Sequence, residues 1–265
     1  MRALPIALLM LMPHAAAAPF LMFASTSDPT VYPVLEKFMT RADYVGAKIA
    51  AKAPAVARRI EPQHQYILPG SLEGVKKYSV CASGNPGVVM YDIEHWTDTP
   101  ASEQAQPAKS VAAAARIVHA GKCQQFALAP DGEYMGLKEG ACVYDFEAGI
   151  YRSIDWTQVD LLSIQAQRLL SDTCSDKLTI EDYAGFVSRV AAYVKSKNPK
   201  ILVVSQLSFR YTPPDRMIGA MSKLAQVIDG FYLIYPANQK TPCHYCSAEN
   251  LSTVLRAASK APKFR

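Results

Sequence analysis

The segment from Gly87 to Trp96, Gly-Val-Val-Met-Tyr-Asp-Ile-Glu-His-Trp, constrains this chain more than any other. Four apolar or aromatic residues run straight into an Asp-x-Glu pair, and a helix start follows at once. A continuous apolar run of this kind reads as a strand buried on both faces, the habit of parallel sheets. Asp92 and Glu94 are two positions apart, so on a strand they point to the same side. Two carboxylates on one face, at the C-terminal end of a buried parallel strand, stand where α/β barrels carry their chemistry.

The rest of the chain alternates strand and helix signals. Phe20 to Ala24 reads as a first strand, which would deliver Ser25 and Thr26 to the mouth, and Val31 to Thr40 as an amphipathic stretch. Tyr44 to Ala50 and His64 to Leu68 are weaker strand candidates, and Tyr78 to Ala82 reads either as another strand or as the end of the preceding helix. After the strand at 88–94, Thr99-Pro100 opens a helix that continues through an alanine-rich run to His119 and stops at Gly121. Gln125 to Ala129, Asp160 to Gln167, Ile201 to Phe209 and Phe231 to Tyr235 read as further strands. Between and after them lie helices from Thr179 to Lys197, Met217 to Val227 and Glu249 to Ala258. The acidic-aromatic stretch from Tyr144 to Tyr151 has no clear assignment. No linker or repeat divides the chain. The expectation is α/β: a single (β/α)8-type (TIM) barrel over 19–265, irregular at its N-terminal end, where the strand signals are weakest.

Residues 1–18 are set apart as a signal peptide: Arg2, an apolar core from Ile6 to Met12, then alanines. The core is far shorter than the ~20 residues that span a bilayer, and no later segment is long and apolar enough to do so. The expected location is therefore secreted or periplasmic. The remaining chain, about 245 residues, suits one barrel. A net charge of +5 without a basic run interleaved with exposed aromatics gives no support to nucleic-acid binding. Oligomeric state is not legible.

Six cysteines in an exported chain favour disulfides. Cys243 and Cys246 form a C-x-x-C, read as a local disulfide that pins a loop; redox and zinc roles are the alternatives. No second C-x-x-C completes a zinc set, and neither a metal nor another cofactor is expected. The pairing of Cys81, Cys123, Cys142 and Cys174 stays open.

Polar residues cluster where successive buried strands stop: Asp92 and Glu94, Asp131, Gln165 and Gln167, Gln206 and Ser208, then Tyr235 with Asn238 and Gln239 beyond. Amides at the end of an apolar strand are costly as core, because each needs several hydrogen-bond partners. They suit the hydroxyls or amide of a polar ligand, with Trp96, Tyr211 and Tyr235 as stacking surfaces for a sugar ring. Bland alternatives stand beside this reading. Asp92 and Glu94 could hold the barrel rim through Arg152 or Arg210; Asp131 sits in a Pro-Asp-Gly turn that explains it without function; and His95 would point away from Glu94 if the strand continued.

Gly-Val-Val-Met-Tyr-Asp-Ile-Glu resembles the Asp-x-Glu strand of the family 18 chitinase-like glycoside hydrolases. There the glutamate is the proton donor, and the aspartate two residues earlier orients the N-acetyl group of the substrate. The family's longer motif has two further aspartates upstream, where this chain carries Met90 and Gly87. A second resemblance covers more of the chain: Tyr91-Asp92-Ile93-Glu94-x-Trp96-x-x-Thr99-Pro100-x-x-Glu103-Gln104, then Ile164-Gln165-Ala166-Gln167, Asp229-Gly230-Phe231-Tyr232 and the C-x-x-C. It is similar to a group of secreted bacterial barrel proteins of the glycoside-hydrolase-like superfamily, which implies fold and export but no reaction.

Two functions from different classes follow. One is a glycoside-hydrolase-like protein acting on a carbohydrate, with Glu94 as general acid/base and Asp92 raising its pKa. Residues i and i+2 on one strand are about 6.5–7 Å apart at the backbone. A retaining pair, about 5–5.5 Å apart, must also flank the scissile bond. A neighbouring-group mechanism, or Asp131 as second carboxylate, is therefore preferred to Asp92 as nucleophile. The other is a non-catalytic carbohydrate- or peptidoglycan-binding protein, with Gln165, Gln167, Gln206, Trp96, Tyr235 and Asn238 as ligand contacts.

Overall fold

The computed structural model describes residues 21–26, 28–81, 86–138, 142–174, 176–236 and 242–260. The signal-peptide segment, Phe20, Asn238 and Gln239 lie outside them. Eight parallel strands close into a barrel. In chain order the strands are β1 (Leu21–Thr26), β2 (Tyr44–Gly46), β3 (Gln65–Ile67), β4 (Val88–Ile93), β5 (Gln125–Pro130), a β6–β7 pair (Leu137–Lys138 and Val143–Tyr144), β8 (Leu161–Ile164), β9 (Leu202–Ser208) and β10 (Gly230–Tyr235). Around the barrel the order is β1, β10, β9, β8, β5, β4, β3, β2, and β2 returns to β1. The antiparallel β6–β7 pair stands outside it. This is the (β/α)8 architecture.

Alternation along each strand divides the buried side chains into two layers. Leu21, Phe23, Tyr44, Tyr66, Val88, Met90, Ala127, Ala129, Leu161, Val204 and Tyr232 fill the barrel interior. Val89, Tyr91, Ile93, Phe126, Leu128, Leu162, Phe231 and Leu233 pack outward under the helices. Burial on both faces is why these strands read as unbroken apolar runs.

The helices follow local signals, with instructive departures. α1 (Tyr32–Phe38) comes after β1, and α2 (Ala47–Lys52) takes over at Ala47, so the strand candidate at 44–50 ends after three residues. α3 (Pro54–Ala57) follows, then α4 (Leu72–Tyr78), whose last turn occupies the start of the 78–82 strand candidate. The helix expected from Thr99 to His119 is two: α5 (Ala101–Gln104) and α6 (Pro107–Ala120). Pro107 makes the break, because the residue before a proline is driven out of the helical region; Gln106 sits at φ −136°, ψ 58°. α7 (Ile180–Lys197) begins at a reciprocal capping box in which Thr179 and Asp182 satisfy each other's backbone. α8 (Pro214–Leu224) and α9 (Ala248–Ala258) close the ring. Between β5 and β8 the described chain forms 3-10 turns and the β6–β7 pair instead of an α-helix. The acidic-aromatic stretch at 144–151 belongs to this excursion.

Three disulfides brace the molecule: Cys81–Cys123, Cys142–Cys174 and Cys243–Cys246. They are consistent with an oxidising compartment. No described helix is long and apolar enough to cross a membrane.

Candidate functional site

A cavity of about 660 Å³ opens at the C-terminal end of the barrel. Asp92, Glu94, Trp96, Asp131, Gln165, Gln167 and Gln206 all line it, as do Ser25 and Ser208. Their convergence follows from parity and register. β4 and β5 pair from Val88↔Gln125 to Ile93↔Pro130, β5 pairs with β8 and β8 with β9, so β4, β5 and β8 end on one level and β9 runs three residues beyond it, to Ser208. Val88, Met90 and Asp92 point inward on β4, and Leu161, Ser163 and Gln165 continue the same parity from β8.

Gln165 organises the centre. Its Nε2 donates to Asp92 Oδ1 at 3.0 Å and Glu94 Oε1 at 2.8 Å, and lies 3.2 Å from the Ala129 carbonyl. Asp92 is buried. Burial pushes its carboxyl well above the usual carboxylate range, and the charge of Glu94 and the hydrogen bond between the two carboxyls raise it further. Glu94 is raised as well, first by burial and then by Asp131, while Gln165, Asp92 and Arg168 oppose the rise. The two carboxyls titrate as a unit, with Asp92 raised further than Glu94.

The loop after β4 braces itself around this pair. Thr99 Oγ1 accepts from Glu94 N at 3.2 Å and from Trp96 Nε1 at 3.0 Å. Gln104 Nε2 donates to the carbonyls of Trp96 and Thr99 at 2.8 and 2.7 Å. Glu103 accepts from the Tyr91 hydroxyl at 2.6 Å and from Leu72 N at 3.0 Å, which ties α4 to β4. Tyr91, Thr99, Glu103 and Gln104 thus earn their places in the longer sequence pattern as the frame that fixes Glu94. Trp96 stays 41% exposed at the rim.

Asp131 has two tasks. Oδ1 caps the 3-10 turn through Glu133 N at 3.0 Å, as its Pro-Asp-Gly context implies. Oδ2 accepts from His95 N at 3.1 Å and lies 3.2 Å from His95 Nδ1. β4 ends at Ile93, so strand alternation does not carry His95 away; it lines the cavity and rests against Tyr134, ring centres 4.2 Å apart. Gln206 Nε2 donates to Ser163 Oγ at 3.2 Å. Gln167 stands at the start of a 3-10 turn with its Oε1 buried and without a partner among the described residues.

Two expectations are corrected. Tyr235 packs outward against Phe209, ring centres 5.6 Å apart, and borders a neighbouring cavity of about 410 Å³ rather than the mouth. Inward parity on β10 belongs to Tyr232, which lines both cavities. Its hydroxyl lies 3.0 Å from that of Tyr66, and burial pushes it up to about 12. Arg152, offered as a rim partner for the acids, pairs with Glu147 instead. Sequence reasoning missed Arg168 as a lining residue, and it named Arg210 only as a rim strut; both line the mouth. They sit in irregular turns, where no periodicity shows which way a side chain points.

The departures from the chitinase motif have physical reasons. A Cβ at Gly87 would overlap the Gln63 carbonyl, so no side chain fits there. Met90 is fully buried in the barrel interior among Val88, Ala127 and Tyr232. Among the described residues, no group of three His, Cys, Asp or Glu side chains is placed to hold a metal ion.

No protein-family model matches the chain, and no curated protein matches it. Among solved structures, active domain 2 of the thermostable chitinase from Pyrococcus furiosus, studied as catalytic-site mutants complexed with chito-oligosaccharides, aligns with a TM-score of 0.57 at 12% identity. The alignment covers 94% of this chain and 98% of that one. At such identity the likeness speaks for the barrel alone. The tryptophan synthase α subunit of Legionella pneumophila aligns over 92% of this chain and 94% of that one, at 12% identity and a TM-score of 0.31, too low to carry an argument.

Proposed function

We propose that the protein acts on a carbohydrate as a glycoside-hydrolase-like barrel, with Glu94 as general acid/base. The observation that carries this reading is the Asp92–Glu94 carboxyl pair, joined through Gln165 at the floor of an open mouth. Burial raises Glu94, which keeps it protonated to a higher pH than an ordinary glutamate and suits it to protonate a leaving glycosidic oxygen. As Glu94 gives up that proton, the Asp92 proton and the Gln165 amide are already aimed at its carboxylate. Bond cleavage then needs a nucleophile at the anomeric carbon. An acetamido group of the substrate could fill that role, and Asp131, held by His95, is the second carboxylate in reach of the mouth. The chito-oligosaccharide complexes of the Pyrococcus furiosus chitinase domain make N-acetylated glycans the first substrates to try.

Incubating the purified protein with chito-oligosaccharides and peptidoglycan fragments, beside its Glu94→Gln variant, tests the reading. Turnover that disappears in the variant supports it; turnover that survives removes Glu94 from the role. The second reading, a non-catalytic glycan- or cell-wall-binding protein, draws on Met90 and Gly87, which leave the acid pair without the two upstream carboxylates. Glycan binding without turnover, unchanged by Glu94→Gln, favours that reading instead.

A further inference from the structure

The mouth that holds the acid pair is also lined by two arginines. Arg168, in the 3-10 turn after β8, and Arg210, two residues past β9, both line the cavity. Both guanidinium carbons lie against the Tyr211 ring, at 5.7 and 5.6 Å from its centre. Arg210 is fixed by a turn in which its backbone N–H donates to Ser208 Oγ at 3.3 Å. Its guanidinium is poorly satisfied. Nη1 makes one long contact, 3.4 Å to the Tyr211 hydroxyl, and Nε is buried without a partner among the described residues.

Some other cations among the described residues find carboxylates: Arg41 with Glu61, Arg152 with Glu147, Lys195 with Asp229 and Lys223 with Glu181. Among the described residues no carboxylate pairs with Arg210, although Asp92, Glu94, Asp131 and Glu133 line the same cavity. A partly buried guanidinium left without an anion, close to a second one on the same ring, is unfavourable unless a ligand completes it. The arginine fork matches a carboxylate edge with two parallel hydrogen bonds.

We infer that the mouth takes an acidic saccharide, whose carboxylate docks on Arg210 and Arg168 while a neighbouring sugar lies over Asp92 and Glu94. This rests on the carbohydrate reading and names its substrate class. Two sources share the chemistry: a uronic acid, with the carboxylate on the ring, and a lactyl ether, as in muramic acid.

Calorimetric titration with matched oligosaccharides separates the cases. The probes are an alternating N-acetylglucosamine–glucuronate hexasaccharide, a muropeptide-free N-acetylglucosamine–N-acetylmuramic acid tetrasaccharide, the carboxyl-reduced form of each, and chitohexaose. At least one acidic probe is expected to bind about tenfold tighter than its reduced form, since a hydrogen bond to a charged group is of that order. Which acidic probe shows the gain identifies the source. Arg210→Gln should abolish the gain, bringing the acidic and reduced forms to equal affinity, with Arg210→Lys falling between. Equal affinity for acidic and reduced forms in the wild type overturns the anion subsite and leaves the carbohydrate reading standing. A gain that persists in Arg210→Gln overturns the assignment to Arg210. Binding of none of the five probes overturns this inference together with the carbohydrate reading.

Discussion

The two sides of the barrel mouth use their polar atoms in opposite ways. On the side of β1, β2, β3 and β10 the interior is aromatic. Phe23 stacks on Tyr44 with ring centres 4.2 Å apart, and Tyr66 meets Tyr232 at 5.6 Å. The hydroxyls there are spent internally: Tyr66 donates to the Ala24 carbonyl at 2.8 Å and lies 3.0 Å from the Tyr232 hydroxyl. On the side of β4, β5, β8 and β9 the inward residues are small above the floor, Ala127 and Ala129, and the polar groups at the strand ends face open space. Apart from the cavity of about 410 Å³ at its strand ends, the first side is a plug, and the other is a receptacle. A closed ring of near-equivalent strands acquires a direction in this way, because small residues on one arc leave the room that large ones remove on the other.

The largest expected effect belongs to the receptacle. Glu94→Gln should lower glycan turnover by about 10²–10⁴-fold, the usual contribution of a positioned general acid, without lowering the unfolding midpoint. Progress curves on the best glycan beside denaturant melts check both halves of that statement. Next comes the plug. Phe23→Ala should cost about 3–5 kcal/mol of stability, the range for deleting a buried aromatic ring, while saccharide affinity measured where the variant is still folded stays within about twofold. A Phe23 variant that loses binding as steeply as it loses stability would show that the two sides are not separable.

The disulfides sharpen the contrast. Cys142–Cys174, 32 residues apart, joins the excursion after β5 to the loop after β8, the two segments that present Asp131 and Gln167. Its replacement by serines should cost about 3.5 kcal/mol by loop closure and weaken ligand binding. Cys243–Cys246, three residues apart, should cost under about 2 kcal/mol. Urea titrations of the two double-serine variants rank them; an inverted order breaks the argument.

The smallest effect is a tilt with pH. Asp92 and Glu94 are both raised in the folded protein, so between the unfolded and folded values the native state holds more protons than the unfolded chain. Stability is therefore fully present on the acid side of that window and declines as pH rises through it. Asp92→Asn should flatten the decline. Thermal melts across that range that show no difference in slope between the two proteins would count against a buried, proton-sharing pair.

Much of this division was legible in advance, and what was not has a definite cause. β4, β8 and β9 announce themselves as apolar runs that end in polar residues, which is why Asp92, Glu94, Gln165 and Gln206 can be grouped from the sequence. β2 and β3 contribute three residues each, too few for any period to register. β10 reads Gly-Phe-Tyr-Leu-Ile-Tyr, apolar on both faces, so nothing in it tells inward from outward, and it is Tyr232 rather than Tyr235 that faces the cavity. The split at Pro107 was written in the chain, but the alanine run around it outweighed one proline. Arg168 and Arg210 lie in turns whose side-chain directions come only from tertiary packing.

Gly87 limits which descendants this chain can have. A walk by single substitutions towards the four-acid chitinase pattern must place aspartates at 87 and 90. Position 90 admits one at the cost of a further buried carboxyl beside Asp92, but position 87 admits no side chain while Gln63 holds its place. The route is closed by the backbone spacing of two strands, before any selection on chemistry can act. New activity in this lineage would have to arise elsewhere on the rim, from loops free to lengthen without moving the wall behind them.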